Sequence, residues 1–407
     1  MQNGTSGGEG IALVRALSDL YPATARWIYL DSVSRGLLPV TARHRAIEVL
    51  DSQLAASFTE EQWRTMPQLC LARFGELIGA QAQNIRFSRS WSDGLGAVAS
   101  VLRPRAGGNM VLCTALSSTE FISFWREFAI RNGLQMRDIP VDGKFGIHTP
   151  DIDRMMDRET VLVAMPAVLH ARGLRVPLAD ISDICRARGI FFLVDGTASV
   201  GVLQTRVAQD GIDGVVVAAD RNLLGLHGLG FVHVSSRWFE HLTAAQRIRA
   251  GFGGRMGFTN AIDGQQSGSG LPDKTHVPDF ADTDLVSVVT AYEALGVLLE
   301  CGLERIERHA LGLAGQLRAM LEELGMAVEH PPGDRYLSHI VAVGRPYPVA
   351  EGILPDAGLR RFAGQLAAGR VRHSVRHGQL QFGFHLYNNL RDVMDVRRIA
   401  AQSLSMG

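Results

Sequence analysis

Between about residue 85 and residue 235, short β-rich runs alternate with stretches of helical period, and this alternation leaves few folds open to the chain. The β-like runs are Asn84–Ser88, Asn109–Thr114, Gln135–Pro140, Thr160–Pro166, Ile190–Asp195, Gly214–Ala219 and Gly230–Ser235. Between them, Thr119–Asn132 sets Phe121, Trp125, Phe128 and Ala129 on one helical face. Pro177–Arg188 opens with a proline at a helix start and turns Ile181, Ile184 and Cys185 inward. Strands that alternate with helices predict a mainly parallel sheet covered on both faces. The runs at 160–165 and 190–194 are apolar without a two-residue alternation, as strands buried on both sides are.

The texture changes after about residue 250. Residues 251–279 form a long loop rich in Gly, Ser, Gln and Asp, of the kind that serves a site or a subunit contact or is disordered. A helix capped by Thr283 is then expected through Leu299, amphipathic in pattern, and a second from about Leu303 to Leu324. Beyond Ser338 come strand-like runs at His339–Val343 and Gln379–Phe384 and helices near Asp356–Ala368 and Arg391–Leu404. At 407 residues the chain suits two packed units. The expected division is a frayed terminus over 1–20, a large α/β domain over 21–280 that includes the 251–279 loop, and a smaller α+β domain over 281–407.

Composition excludes several functions. Lys plus Arg and Asp plus Glu both number 41, and no basic stripe stands out, so nucleic acid is not an expected partner. No apolar run approaches the ~18 residues of a spanning helix, and the first ten residues lack a signal-peptide pattern, so no membrane is expected. Four well-separated cysteines (Cys70, Cys113, Cys185 and Cys301) form no CxxC pair. They read as core residues in a reducing cytoplasm, with no metal site. Lysine occurs only at Lys144 and Lys274.

Ligands of open α/β sheets bind at the carboxyl ends of the strands, and three stretches there carry chemistry. Asp195 ends a strand and is followed by small residues; it suits a buried cationic partner, or equally a turn or helix cap. The segment Ser88-Arg89-Ser90-Trp91-Ser92-Asp93 opens an apolar helix. Its hydroxyls and N–H groups suit either an anion or capping by Ser92 or Asp93. Asp220-Arg221 ends a third strand ahead of a glycine-rich turn that lacks the Gly-Lys-Ser/Thr of a nucleotide loop.

Taken together and in order, over roughly residues 27 to 405, these stretches resemble the class V aminotransferase family, with its cysteine desulfurases, isopenicillin N epimerase-like proteins and kynureninase. The segment from Trp27 to Gly36, which holds Ser34, resembles "YLDNAA". Ser90-Trp91-Ser92 falls on the phosphate-binding Ala-Thr turn, and the segment from Ala167 through His170 to Gly173 resembles "HVSNxTG". Leu193-Val194-Asp195 with Ala198 and Gly201 resembles "VDAAQSVG". Leu223-Leu224-Gly225 with Gly228, Gly230 and Phe231 resembles "HKWLLGPxGxGFLYV", and His385-Leu386-Tyr387-Asn388 resembles "PHxYNT". The resemblance implies a pyridoxal-phosphate (PLP) transferase-like fold of type I, with a mainly parallel large domain, a smaller C-terminal α+β domain and a homodimer. By carry-over, Asp195 would pair with the pyridinium nitrogen, Ser90 and Ser92 would hold phosphate, and His170 would neighbour the ring.

The departures matter as much. The family's His-Lys falls on Asp220-Arg221, its substrate-binding arginine on Gln381, and the glutamine of "AAQ" on Ala198; Arg376 stands nearby as an anion clamp. Arginine keeps its charge and cannot form the usual aldimine. The expected function is therefore a divergent class V enzyme acting on a small, anionic, amino-acid-like substrate without an internal aldimine. PLP or its amine form PMP would be held without a covalent link, or be absent. Asp220, His170 and Arg221 would be catalytic, and Arg376, Gln381 and Ser34 would bind substrate. Two alternatives stand: a non-catalytic partner subunit or ligand sensor, and a PLP enzyme that uses Lys274.

Overall fold

A computed structural model describes residues 17–240 and 284–405, apart from positions 58, 115–116, 143–145, 170–171, 329, 331–333 and 348. His170, Lys144, Lys274, Thr283 and the 251–279 loop lie outside the described residues.

Seven strands build the central sheet: β1 (Ile85–Ser88), β2 (Asn109–Leu112), β3 (Gln135–Asp138), β4 (Thr160–Pro166), β5 (Phe191–Asp195), β6 (Gly214–Ala218) and β7 (Gly230–Val234). Their spatial order is β1-β7-β6-β5-β4-β2-β3. All run parallel except β7, which is antiparallel to both β6 and β1. Every residue of β7 is buried, as are all but Val161 in β4 and all but Asp195 in β5, so these strands lie between two covered faces. The seven strands match the seven β-rich runs of the sequence.

Helices pack around both sheets. Besides a short one at Thr149–Met155, they are α1 (Val40–Leu54), α2 (Glu60–Ile78), α3 (Trp91–Val101), α4 (Thr119–Asn132), α5 (Leu178–Arg188), α6 (Leu285–Cys301), α7 (Leu303–Glu323), α8 (Ala357–Ala368) and α9 (Leu390–Ser405). On α4, Phe121, Trp125 and Ala129 are buried; on α5, Ile181 and Cys185 are buried. Two sequence expectations need correction. The cap of α3 is Ser90, not Ser92 or Asp93: its Oγ accepts from Asp93 N at 3.1 Å. α6 starts at Leu285 on the carboxylate of Asp284, which accepts from the N–H groups of Val286 and Ser287. That helix is also buried on most of its surface rather than amphipathic, because it packs against both α1 and α2. At Gly302 the chain bends by 80° into α7; its φ of +78° is one that L side chains rarely adopt. No single helix among the described residues is long and apolar enough to cross a membrane.

The C-terminal unit carries a three-stranded antiparallel sheet of β8 (Ile340–Val343), β9 (Ser374–Arg376) and β10 (Gln379–Gly383), with β10 central. The N-terminal segment joins it. Ile28–Tyr29 pairs in parallel with Val371–Arg372, and Asp31 bridges to Gly383. This return of residues 28–36 to the C-terminal sheet lets one short segment touch both halves of the site. Cys70, Cys113 and Cys185 are buried free thiols and Cys301 is half-buried.

Candidate functional site

A cavity of about 270 Å³ opens at the carboxyl ends of the parallel strands. Trp91 follows β1; Ser117, Ser118, Glu120 and Phe121 follow β2; Pro166 and Val168 come from β4; Asp195, Thr197 and Ala198 from β5; Ala218 and Arg221 from β6. The C-terminal unit closes it with Glu351 and Arg376.

Asp195 sits at the end of β5 with its neighbours arranged to hold it. Its carboxylate accepts from Thr197 N at 2.9 Å, and Thr197 Oγ1 in turn accepts from Ala218 N at 3.2 Å. Burial raises its pKa above the ordinary carboxylate range. The bonds from Thr197, the charge of Arg221 and the indole of Trp91 act against that rise. The Trp91 indole N–H is buried beside this carboxylate, near enough to favour its ionised form yet outside hydrogen-bonding geometry. The Trp91 ring is braced by Phe121, with centroids 5.8 Å apart.

Arg221 lies in the turn after β6. Gly36 fixes the backbone there: its N–H donates to Asp220 O at 2.8 Å, and a Cβ on it would stand 2.1 Å from Arg221 O. The Asp220 carboxylate points elsewhere. Buried itself, it pairs with Nδ1 of exposed His227 at 2.9 Å and is not part of the cavity wall. The general-base role expected of Asp220 therefore has no contact with the cavity to rest on.

Arg376 is 7% exposed and is held by a relay. It donates to Ser34 Oγ at 3.1 Å; Ser34 Oγ lies 2.8 Å from Ser374 Oγ, which bonds the Asp31 carboxylate. Glu351 stands 3.6 Å from the Arg376 guanidinium. Burial, and then the like charge of Arg221, lower the Arg376 pKa, so two guanidinium groups share one small cavity.

Gln381, Ser90 and Ser92 fall outside it. Gln381 is fully buried in the middle strand β10, opposite Ser374 and Ala342, and does not reach the cavity wall. Ser90 and Ser92 are exposed; their hydroxyls lie 3.0 Å apart, and Ser90 is spent on capping α3. His170 is outside the described residues. Sequence reasoning missed Glu120, Glu351 and the role of Trp91. Glu120 carries a legible signal, as an acid in the first turn of a helix that follows a strand. Glu351 carries none, since packing of the C-terminal unit alone brings it to the cavity.

These residues fit pyridoxal phosphate only in part. Asp195 suits a ring nitrogen. No described residue supplies an amine, and the hydroxyls assigned to phosphate are engaged at the surface. An aromatic N–H of the chain itself already faces Asp195. As a set they do not match the cofactor.

The Aminotransferase class-V family model matches residues 53–394. A probable cysteine desulfurase of Methanothermobacter thermautotrophicus is 22% identical over 337 residues, covering 81% of this chain and 82% of that protein. Isopenicillin N epimerase of Streptomyces clavuligerus is 27% identical over 230 residues, 54% of this chain and 56% of the other. Among solved structures, the apo cysteine desulfurase of Thermococcus onnurineus NA1 superposes with a TM-score of 0.77 at 19% identity, covering 97% of this chain and 98% of that one. The cystine C-S lyase C-DES, in complex with its product cysteine persulfide, gives 0.76 at 17% identity, with 93% and 99% covered. With its fold shared and the family's pattern running through most of its length, the chain belongs to the class V aminotransferase family.

Proposed function

We propose that this chain acts on a small, anionic, amino-acid-like substrate in the class V cleft, and does so without an internal aldimine. One observation carries the reading: in the turn after β6, on which the resemblance sets the family's lysine, Arg221 lines the cavity together with Asp195 and Arg376. An arginine keeps its proton and binds carboxylates in a two-pronged fashion. Arg221 and Arg376 therefore hold the substrate carboxylate. Glu120 and Glu351 line the same small cavity and suit its ammonium group. Asp195, which lines the cavity and whose pKa burial raises, is the group that takes and returns a proton. Ser34 positions Arg376, and Asp220 with His227 braces the turn that carries Arg221.

Ligand-detected NMR on the purified protein with single amino acids, run for binding and for product, tests this. We expect binding that weakens at least tenfold in Arg376→Leu, and conversion that stops in Asp195→Asn. No amino acid bound by the wild type would overturn the reading. Binding with no conversion would replace it with a ligand-sensing role. The family expectation of a homodimer is kept. Ile47, Leu50 and Leu54 support it, as an exposed apolar row at 38%, 52% and 89% exposure along α1. Light scattering on the eluting protein measures the assembly directly.

A further inference from the structure

The cavity's aromatic donor bears on the cofactor. A carboxylate at the end of β5 would, in this family, hold the N–H of a pyridinium ring. Here the chain lines the same cavity as that carboxylate with an aromatic ring that carries its own buried N–H, the indole of Trp91. The ring is not loosely placed. Phe121 packs on it, its Nε1 is buried, and it begins helix α3, whose backbone Ser90 ties down. The cation of Arg221 lines the same cavity, at the position where the family's covalent link would form. The cavity that remains, about 270 Å³, is below the roughly 300–1,000 Å³ of pockets for drug-sized ligands, a size that suits a free amino acid.

We propose that Trp91 and Arg221 together take the ground of the cofactor ring and its lysine, so that this cavity excludes pyridoxal phosphate and is a site for the free amino-acid-like ligand alone. The inference rests on the reading of the cleft as an amino-acid site and deepens it. A carboxylate in an enclosed site needs a partner for its charge, since leaving it unpaired costs several kcal/mol. Once the chain itself sets a buried indole and a guanidinium around the cavity that holds this carboxylate, a pyridinium would add a second cation where one already stands. Losing the lysine would by itself leave a cofactor that binds reversibly. Gaining Trp91 beside Asp195 removes that option, so the two substitutions act in the same direction.

The test is a cofactor titration on three forms of the full chain: wild type, Arg221→Lys, and Trp91→Thr combined with Arg221→Lys. Each is incubated with pyridoxal phosphate, scanned for absorbance, reduced with borohydride, dialysed and weighed intact. The wild type is expected to retain no cofactor and to gain no mass. Arg221→Lys is expected to gain at most a trace. The double variant is expected to show a reducible band, with the adduct mapping to position 221. Cofactor retained stoichiometrically by the wild type overturns the proposal, whether dialysable or fixed at Lys274. So does an Arg221→Lys protein that forms the adduct as readily as the double variant. The wild-type measurement decides even if the double variant does not fold. The amino-acid titration described above is independent: its failure removes the proposed substrate and leaves the cofactor result standing.

Discussion

Arg376 donates to Ser34 Oγ at 3.1 Å, joining two residues 342 positions apart in the sequence. Ser34 passes the contact to Ser374, which is anchored on Asp31, so the guanidinium is held by groups from both ends of the chain. In Ser34→Ala the arginine stays but loses one neutral acceptor, which is worth roughly 1 kcal/mol. Amino-acid affinity should fall several-fold with little change in melting temperature. Arg376→Leu removes a buried ligand-facing charge and should cost about 2 kcal/mol or more, some 30-fold in affinity. Isothermal titration of the two variants side by side checks the ranking; equal losses would show that Ser34 does more than position Arg376.

Asp195 makes the protein sensitive to rising pH. Burial raises its folded pKa above the 3.8 of the unfolded chain. The folded state therefore holds this proton more tightly, and the associated stability is complete below pH 3.8 and is lost as pH rises toward the folded pKa. Asp195→Asn, which cannot ionise, should melt at a higher temperature than the wild type at pH 7, and the difference should shrink as pH falls toward 4. Thermal melts across that range check it. A variant that melts lower at pH 7 would mean that the ionised carboxylate is a net source of stability.

Two histidines give the opposite slope. His339 and His385 are fully buried, and burial pushes their pKa values down to about 3 and about 4. His385 is satisfied as a neutral ring: Nε2–H donates to Asn222 O at 3.0 Å and Nδ1 accepts from Leu386 N at 2.8 Å. His339 has no hydrogen-bond partner at either nitrogen. Below pH 6.5 the unfolded chain takes up protons that these rings in the fold do not, so stability falls as pH drops toward 4. Between pH 7 and 5 each ring accounts for about 2 kcal/mol. His339→Leu should raise stability at both pH values and more so at pH 5. Urea unfolding at the two pH values measures it.

Much of this was legible in the residues. The seven β-rich runs became the seven strands because apolar stretches covered on both faces leave a strong mark, and Asp195 and Arg221 were found because strand ends in such sheets are where ligands sit. The failures have physical causes as well. Helices α1 and α2 were not foreseen: α1 buries only Ala42 and Val49, and α2 contains Pro67, so neither shows a clean apolar stripe. Asp220 follows a strand as Arg221 does, yet one step along the chain turned its carboxylate to His227 and away from the cavity. Gln381 was drawn from a family position, and its strand is the buried middle of a sheet. Glu351 comes from an irregular stretch, and only tertiary packing sets it beside Arg376.

Gly36 gives the sharpest test of how the site is held. A methyl group there would lie 2.1 Å from Arg221 O and 2.7 Å from a Leu224 methyl, so the two backbones must separate. Leu224 is already in a left-handed conformation at φ +59°, which leaves that turn little freedom to yield. Gly36→Ala should therefore strain the contact by about 1–3 kcal/mol and break the bond from Gly36 N to Asp220 O. The strain falls on the backbone of Arg221, so its guanidinium moves and ligand binding fails by more than the loss of stability explains. Calorimetry for stability, paired with amino-acid titration at a temperature where the variant is folded, separates the two effects. A variant that is destabilised but binds normally would show that the position of Arg221 is set by its side-chain contacts and not by the turn.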